Sequence, residues 1–145
     1  VDSKQSRANK AKGTGFETDL ERYLKSDGFL LNHQIVVRLA KSGRLDKGDL
    51  AVQLETLDGD DVTLIIEAKN AARFTPAEWV DQVLVERENY TKALQSKHSG
   101  YIYGVVIAKR RNKSASKAFV IMQLDEFCNL VGRGKKDLND VQILH

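Results

Sequence analysis

"VTLIIEAKNAARFTPAEWV", residues 62–80, joins two structural patterns. Its first half is a β-branched, apolar run that reads as a buried strand over 62–69. That strand carries Glu67 and Lys69, two residues apart and therefore on one face. Its second half begins a helix. Thr75 is placed to cap it, Pro76 suits the first helical position, and Glu78 completes a capping box. The spacing predicts a helix to about Gln95, with Val80, Val83, Leu84, Tyr90 and Leu94 facing the core. A strand that ends by aiming opposite charges at one face poses the functional question. Glu67 and Lys69 are either a plain ion pair, worth little energetically, or part of a reactive site that draws in further acids.

Outward from this segment the pattern alternates. Upstream, residues 49–56 form a second strand, joined to 62–69 across "LDGDD", where Asp58-Gly59 signals a reversal. "FLLNHQIVVRLA" (29–40) is a further strand region, and "KSGRLDKG" (41–48) a polar loop. Residues 14–27 are helical, with Phe16, Leu20, Tyr23 and Leu24 on one stripe and Gly28 as the stop. Downstream, 101–109 and 117–124 are strands and a short helix starts near Asp125. The order α-β-β-β-α-β-β-α predicts an α/β (α+β) fold, a mixed central sheet flanked by helices. Three parts are expected: a flexible basic arm over 1–12, a single domain over 13–132 and a C-terminal extension over 133–145.

The chain has 145 residues, 41% hydrophobic and 30% charged, as in ordinary globular proteins. No apolar run approaches the roughly 18–20 residues needed to span a bilayer, and no signal-peptide pattern opens the chain. The single cysteine, Cys128, forbids an internal disulfide and fits a reducing, cytoplasmic setting. With only His33, His98 and His145 beside it, a Cys/His zinc site is disfavoured, so a metal would be held by carboxylate oxygens. The net charge of +3 is unevenly spread. Lys4, Arg7, Lys10 and Lys12 crowd the start, and "KRRNKSASK" (109–117) carries no acid. Two such blocks favour a polyanionic partner, since lysine and arginine gain by releasing counterions from phosphates.

The register of the 49–56/62–69 hairpin decides whether the acids meet. A two-residue loop would leave Asp49 and Glu67 on opposite faces. A three-residue loop over Leu57-Asp58-Gly59, or a bulge near the strand start, puts both carboxylates on one face with Lys69. The clustering register is the expectation, with Asp46 a competitor for Asp49. In the first helix, Glu17 lies beside the apolar stripe and Glu21 about 40° further out. Glu17 is therefore expected to point toward the sheet. Such a set would suit Mg²⁺ or Mn²⁺. Gln82, on the helix after the lysine, is a further candidate for orienting water or phosphate. Lys12, Arg44, Lys109, Arg110, Arg111 and Lys113 are candidate backbone contacts to DNA.

"GD" at 48–49 followed by "EAK" at 67–69 resembles the PD-(D/E)XK nuclease signature. "KGTGFETDLERYLKSDGF" (12–29) is similar to the N-terminal helix of archaeal-type Holliday-junction resolvases within that superfamily. The resemblance covers about residues 12–109, and Gly48 stands where the motif has proline. It implies a restriction-endonuclease-like fold and Glu17, Asp49, Glu67 and Lys69 as catalytic residues. The three acids would bind Mg²⁺ (or Mn²⁺), and a homodimer would cut four-way junctions in DNA recombination or repair. No small-molecule cofactor or membrane is implied. The alternatives are a restriction-like or repair nuclease acting on duplex DNA, and a non-catalytic nucleic-acid-binding module that kept the fold.

Overall fold

The computed structural model describes residues 4–29, 34–40, 46–55, 61–94 and 100–132. The elements are α1 (Lys4–Tyr23), continued by a π-helical turn Leu24–Gly28, then β1 (Gln34–Arg38), β2 (Leu50–Glu55) and β3 (Asp61–Lys69). After these come α2 (Pro76–Ala93), β4 (Tyr101–Ala108), a 3₁₀ turn Ala115–Lys117, β5 (Phe119–Ile121) and α3 (Leu124–Val131). The five strands form one mixed sheet in the order β1-β2-β3-β4-β5. Only β3 and β4 run parallel, and α2 is the crossover that parallel pairing requires. The α/β fold and the element order are those expected. Among the described residues no helix is long and apolar enough to cross a membrane.

Alternation along the strands divides the core in two. Val36, Leu50, Val52, Ile66, Val105 and Ile107 face α1 and pack on Phe16, Leu20 and Leu24. The opposite face of β4 presents Val106 and Ala108 to Trp79 and Val83 of α2. Gly104 lets α2 approach, because a Cβ there would stand 3.2 Å from the Val83 carbonyl oxygen. Leu50 pairs with Ile66 and Glu55 with Asp61, the register in which Asp49 comes beside Glu67. The Asp58-Gly59 turn, Arg44, His33, His98 and the 133–145 extension lie outside the described residues.

Four details differ from expectation. The first helix begins at Lys4, so residues 4–12 are its opening turns and not a flexible arm. Lysine, arginine, alanine and glutamine are all good helix formers, and nothing in this stretch breaks a helix. Thr75 precedes Pro76 as expected but makes no side-chain capping bond. The last strand shrinks from the expected 117–124 to three residues, with the 3₁₀ turn Ala115–Lys117 before it and α3 starting at Leu124 after it. Buried positions on α2 are Trp79, Val83 and Glu86, with Leu84, Tyr90 and Leu94 only partly covered.

Candidate active site

At its C-terminal end β3 projects Glu67 and Lys69 to the α2 side of the sheet. Lys69 Nζ lies 3.3 Å from Glu67 Oε1 and donates to Gln82 Oε1 at 2.8 Å. Gln82 Nε2 donates in turn to Glu67 Oε1 at 3.2 Å and to Glu86 Oε1 at 2.8 Å. One amide thus ties together the lysine and two acids. Helical spacing makes this feasible, since Gln82 and Glu86 are one turn apart on the face of α2 that meets β3.

Asp49 enters from the start of β2. Its N–H bonds the Ile66 carbonyl at 2.9 Å, although Leu50 is the ladder partner of Ile66. Two residues of one strand therefore oppose one of the other, which is a β-bulge. Asp49 Oδ2 accepts the Ala68 N–H at 2.8 Å. The competing acid, Asp46, instead accepts the Gly48 N–H on its side chain and the Asn89 side-chain amide on its carbonyl. Asp46 shapes the turn that delivers Asp49.

Three acids are buried here: Asp49 is 6% exposed, Glu67 7% and Glu86 2%. Burial, reinforced by the Glu86 carboxyl, pushes Glu67 up to about 8, against the opposing pull of Lys69. Burial also raises Glu86, helped by the charges of Asp46 and Asp49 and opposed by its hydrogen bonds to Glu67 and Gln82. Glu67 Oε2 and Glu86 Oε2 are buried with no donor from the protein reaching them. Lys69 and Gln82 reach only the Oε1 atoms, so a shared proton or a cation would satisfy the two Oε2 atoms. A plain ion pair does not describe this arrangement. One lysine faces several acids, and an uncompensated buried charge costs several kcal/mol.

Glu17 is placed elsewhere. It does point toward the sheet, but its Oε2 accepts from Arg38 Nη2 at 2.7 Å. Arg38 lies on the α1 face, whereas Glu67 faces α2. The structure therefore brings together Asp49, Glu67, Lys69 and Gln82 and adds Glu86, but does not bring Glu17 to them. Among the described residues, no three acidic, histidine or cysteine side chains close around a point that could hold a metal. The reason is visible in the bonds: Arg38 takes Glu17, and the Ala68 amide takes Asp49. Carboxylate oxygens are nonetheless hard donors that suit a divalent cation once deprotonated, and Glu67 and Glu86 supply two. Glu86 carries a signal in the sequence, an acid on the helix stripe defined by Trp79 and Val83.

The basic residues divide as well. Lys12, Lys109 and Arg111 line a cleft beside the end of β3. Arg110 instead lies over the Phe119 ring, 5.3 Å from its centroid, and Lys113 is exposed in the turn that follows. No protein-family model, curated protein or solved structure matches the chain at a significant level.

Proposed function

We propose that the protein is a metal-dependent DNA endonuclease that hydrolyses phosphodiester bonds at four-way (Holliday) junctions. The observation that carries this reading is the buried Glu67–Lys69–Gln82–Glu86 network, with its donorless carboxyl oxygens, beside a cleft lined by cations. Glu67 and Glu86, whose Oε2 atoms no protein donor reaches, are the residues that would hold Mg²⁺ or Mn²⁺. A bound divalent ion supplies Lewis acidity and lowers the pKa of a bound water. Lys69 Nζ, fixed by Gln82, is available to donate to a phosphate oxygen as negative charge grows there in the transition state. Gln82 is a positioning residue that sets the lysine and both acids at once. The acids repel a phosphate backbone, and the neighbouring cations offset that repulsion.

The test is incubation of the wild-type chain with a labelled four-way junction and a linear duplex, in Mg²⁺ and in EDTA. Paired symmetric nicks in the junction, absent in EDTA, are expected. Preference for duplex of one sequence would favour a restriction-like enzyme. Tight junction binding without cleavage at any Mg²⁺ or Mn²⁺ concentration would leave only a binding module.

Symmetric nicking needs two active sites, and the surface offers support for a homodimer. Helix α3 is tied to the body by the Tyr103 hydroxyl to Asn129 and by an Arg87–Glu126 ion pair. Its Leu124, Phe127 and Val131, one helix turn apart, are 73%, 49% and 63% exposed. An apolar patch of this kind marks an association surface. Phe127→Glu is expected to convert the dimer to monomer in sedimentation velocity, with the folded far-UV spectrum retained.

A further inference from the structure

We infer that the cleft between α1, the end of β3 and the β4–β5 turn is a subsite for the phosphodiester backbone of the strand being cut, flanking the reacting phosphate. This rests on the proposed nuclease reading and assigns a task to a different surface. The cleft has a volume of about 520 Å³ and is lined by Lys12, Asn70, Lys109, Arg111, Asn112 and two alanines. No carboxylate lines it. Lys12, Lys109 and Arg111 form no ion pair with a described residue. Three like charges converging on one hollow repel each other, and an anion placed among them removes that cost.

The hollow is built by ordered backbone. The Asn70 side-chain amide donates to the Lys12 carbonyl at 3.3 Å, fastening α1 to the end of β3. The Lys109 N–H donates to the Lys69 carbonyl at 2.8 Å, fastening β4 to the same point. Beyond it, the Lys113 N–H closes a turn on the Arg110 carbonyl at 3.1 Å, with Arg111 and Asn112 at the tip. Asn112 takes φ +59, a left-handed conformation that asparagine tolerates better than most residues. At the turn's base Arg110 stacks on Phe119, whose ring meets Phe74 edge-on at 6.0 Å. Arg111 is thus presented by a fixed turn, which lowers the ordering cost of binding.

Position assigns the ligand. Lys69 belongs to the hydrolytic network, and the cleft begins at the next residue, Asn70. Three residues of chain, Lys69 to Ala72, reach at most about 10 Å. One strand carries a phosphate per roughly 3.4 Å of duplex axis, so the cleft meets phosphates within about three of the reacting one. No aromatic ring lines it to stack a base, so it positions the backbone without reading sequence.

The experiment uses the full chain carrying Glu67→Gln to block cutting, a labelled four-way DNA junction, EDTA and fluorescence anisotropy over a salt series. Adding Lys109→Ala and Arg111→Ala is expected to weaken binding about 10-fold or more and to flatten the log–log salt slope by about 2. A control pair of equal charge change, Lys25→Ala with Lys92→Ala, is expected to leave the slope near its starting value. Unchanged melting midpoints exclude misfolding as the cause. A slope for the cleft pair equal to that of the control overturns the subsite. The nuclease reading fails separately: with Glu67 restored, absence of cutting beside a flattened slope removes the enzyme and keeps the subsite. Cutting beside an unaltered slope does the reverse.

Discussion

Glu67→Gln is expected to slow junction cleavage on the order of 10³-fold or more, while making the metal-free protein more stable at pH 8. The two effects share one cause. Glutamine keeps the size of the side chain but cannot carry the charge that the proposed chemistry needs. The same charge is what the fold resists, because Glu67 is buried next to Glu86 and only Lys69 compensates it.

The pH dependence follows from the raised value. A carboxyl that titrates near 4.5 when unfolded and at about 8 when folded binds its proton more tightly in the native state. Its contribution to stability is complete below about pH 4.5 and is lost as the pH rises through about 8. In EDTA the wild-type melting midpoint should therefore fall between pH 5 and pH 8.5, and Glu67→Gln should flatten that fall. Mg²⁺ should act in the opposite sense, stabilising more strongly as the pH rises, because a carboxylate must lose its proton to ligate. Thermal melts of both chains across this range check it. A wild-type midpoint that rises with pH in EDTA would show that the Glu67–Glu86 pair is not protonated as the packing requires.

What the sequence reveals about this site depends on how local each feature is. Strand period and the Pro76 signal are local, and they led directly to the β3–α2 unit that carries Glu67, Lys69 and Gln82. The register was legible only in part: a three-residue loop and a bulge near the strand start would each cluster the acids, and the structure pairs Leu50 with Ile66 and bulges at Asp49. Glu17 shows the limit. Periodicity tells which stripe of a helix turns inward, but not which sheet face it meets or that Arg38 waits there. Glu86 shows the complementary limit. An acid on an apolar stripe signals an inward carboxyl, but not that the fold places a second acid opposite it. Residues 4–12 illustrate a third case: charge suggested an arm, while intrinsic propensity favoured the helix that forms.

Gly48→Pro is expected to destabilise the protein by more than about 3 kcal/mol and to abolish cleavage, although proline is the residue that the nuclease motif carries there. Gly48 has φ +94, and proline is locked near −65°. A Cβ at this position would stand 2.9 Å from Ile65 Cγ2, 3.3 Å from the Ile66 carbonyl oxygen and 3.5 Å from Glu86 Oε2. Proline also lacks the N–H that Gly48 donates to Asp46 Oδ1 at 3.0 Å. Straightening this bend would remove the bulge that turns the Asp49 carboxylate onto the Ala68 amide. Gly48→Ala keeps the N–H and adds only the methyl, so about 1–3 kcal/mol is expected, a fall of several degrees in melting midpoint. With Glu86 truncated to alanine in the same chain, only an ordinary contact at 3.5 Å disappears, while the positive φ and the closer Ile65 and Ile66 contacts remain. Most of the loss should therefore persist. A Gly48→Pro chain that melts at or above the wild-type temperature and still nicks a junction would mean that the Asp49 bulge is not what positions this carboxylate.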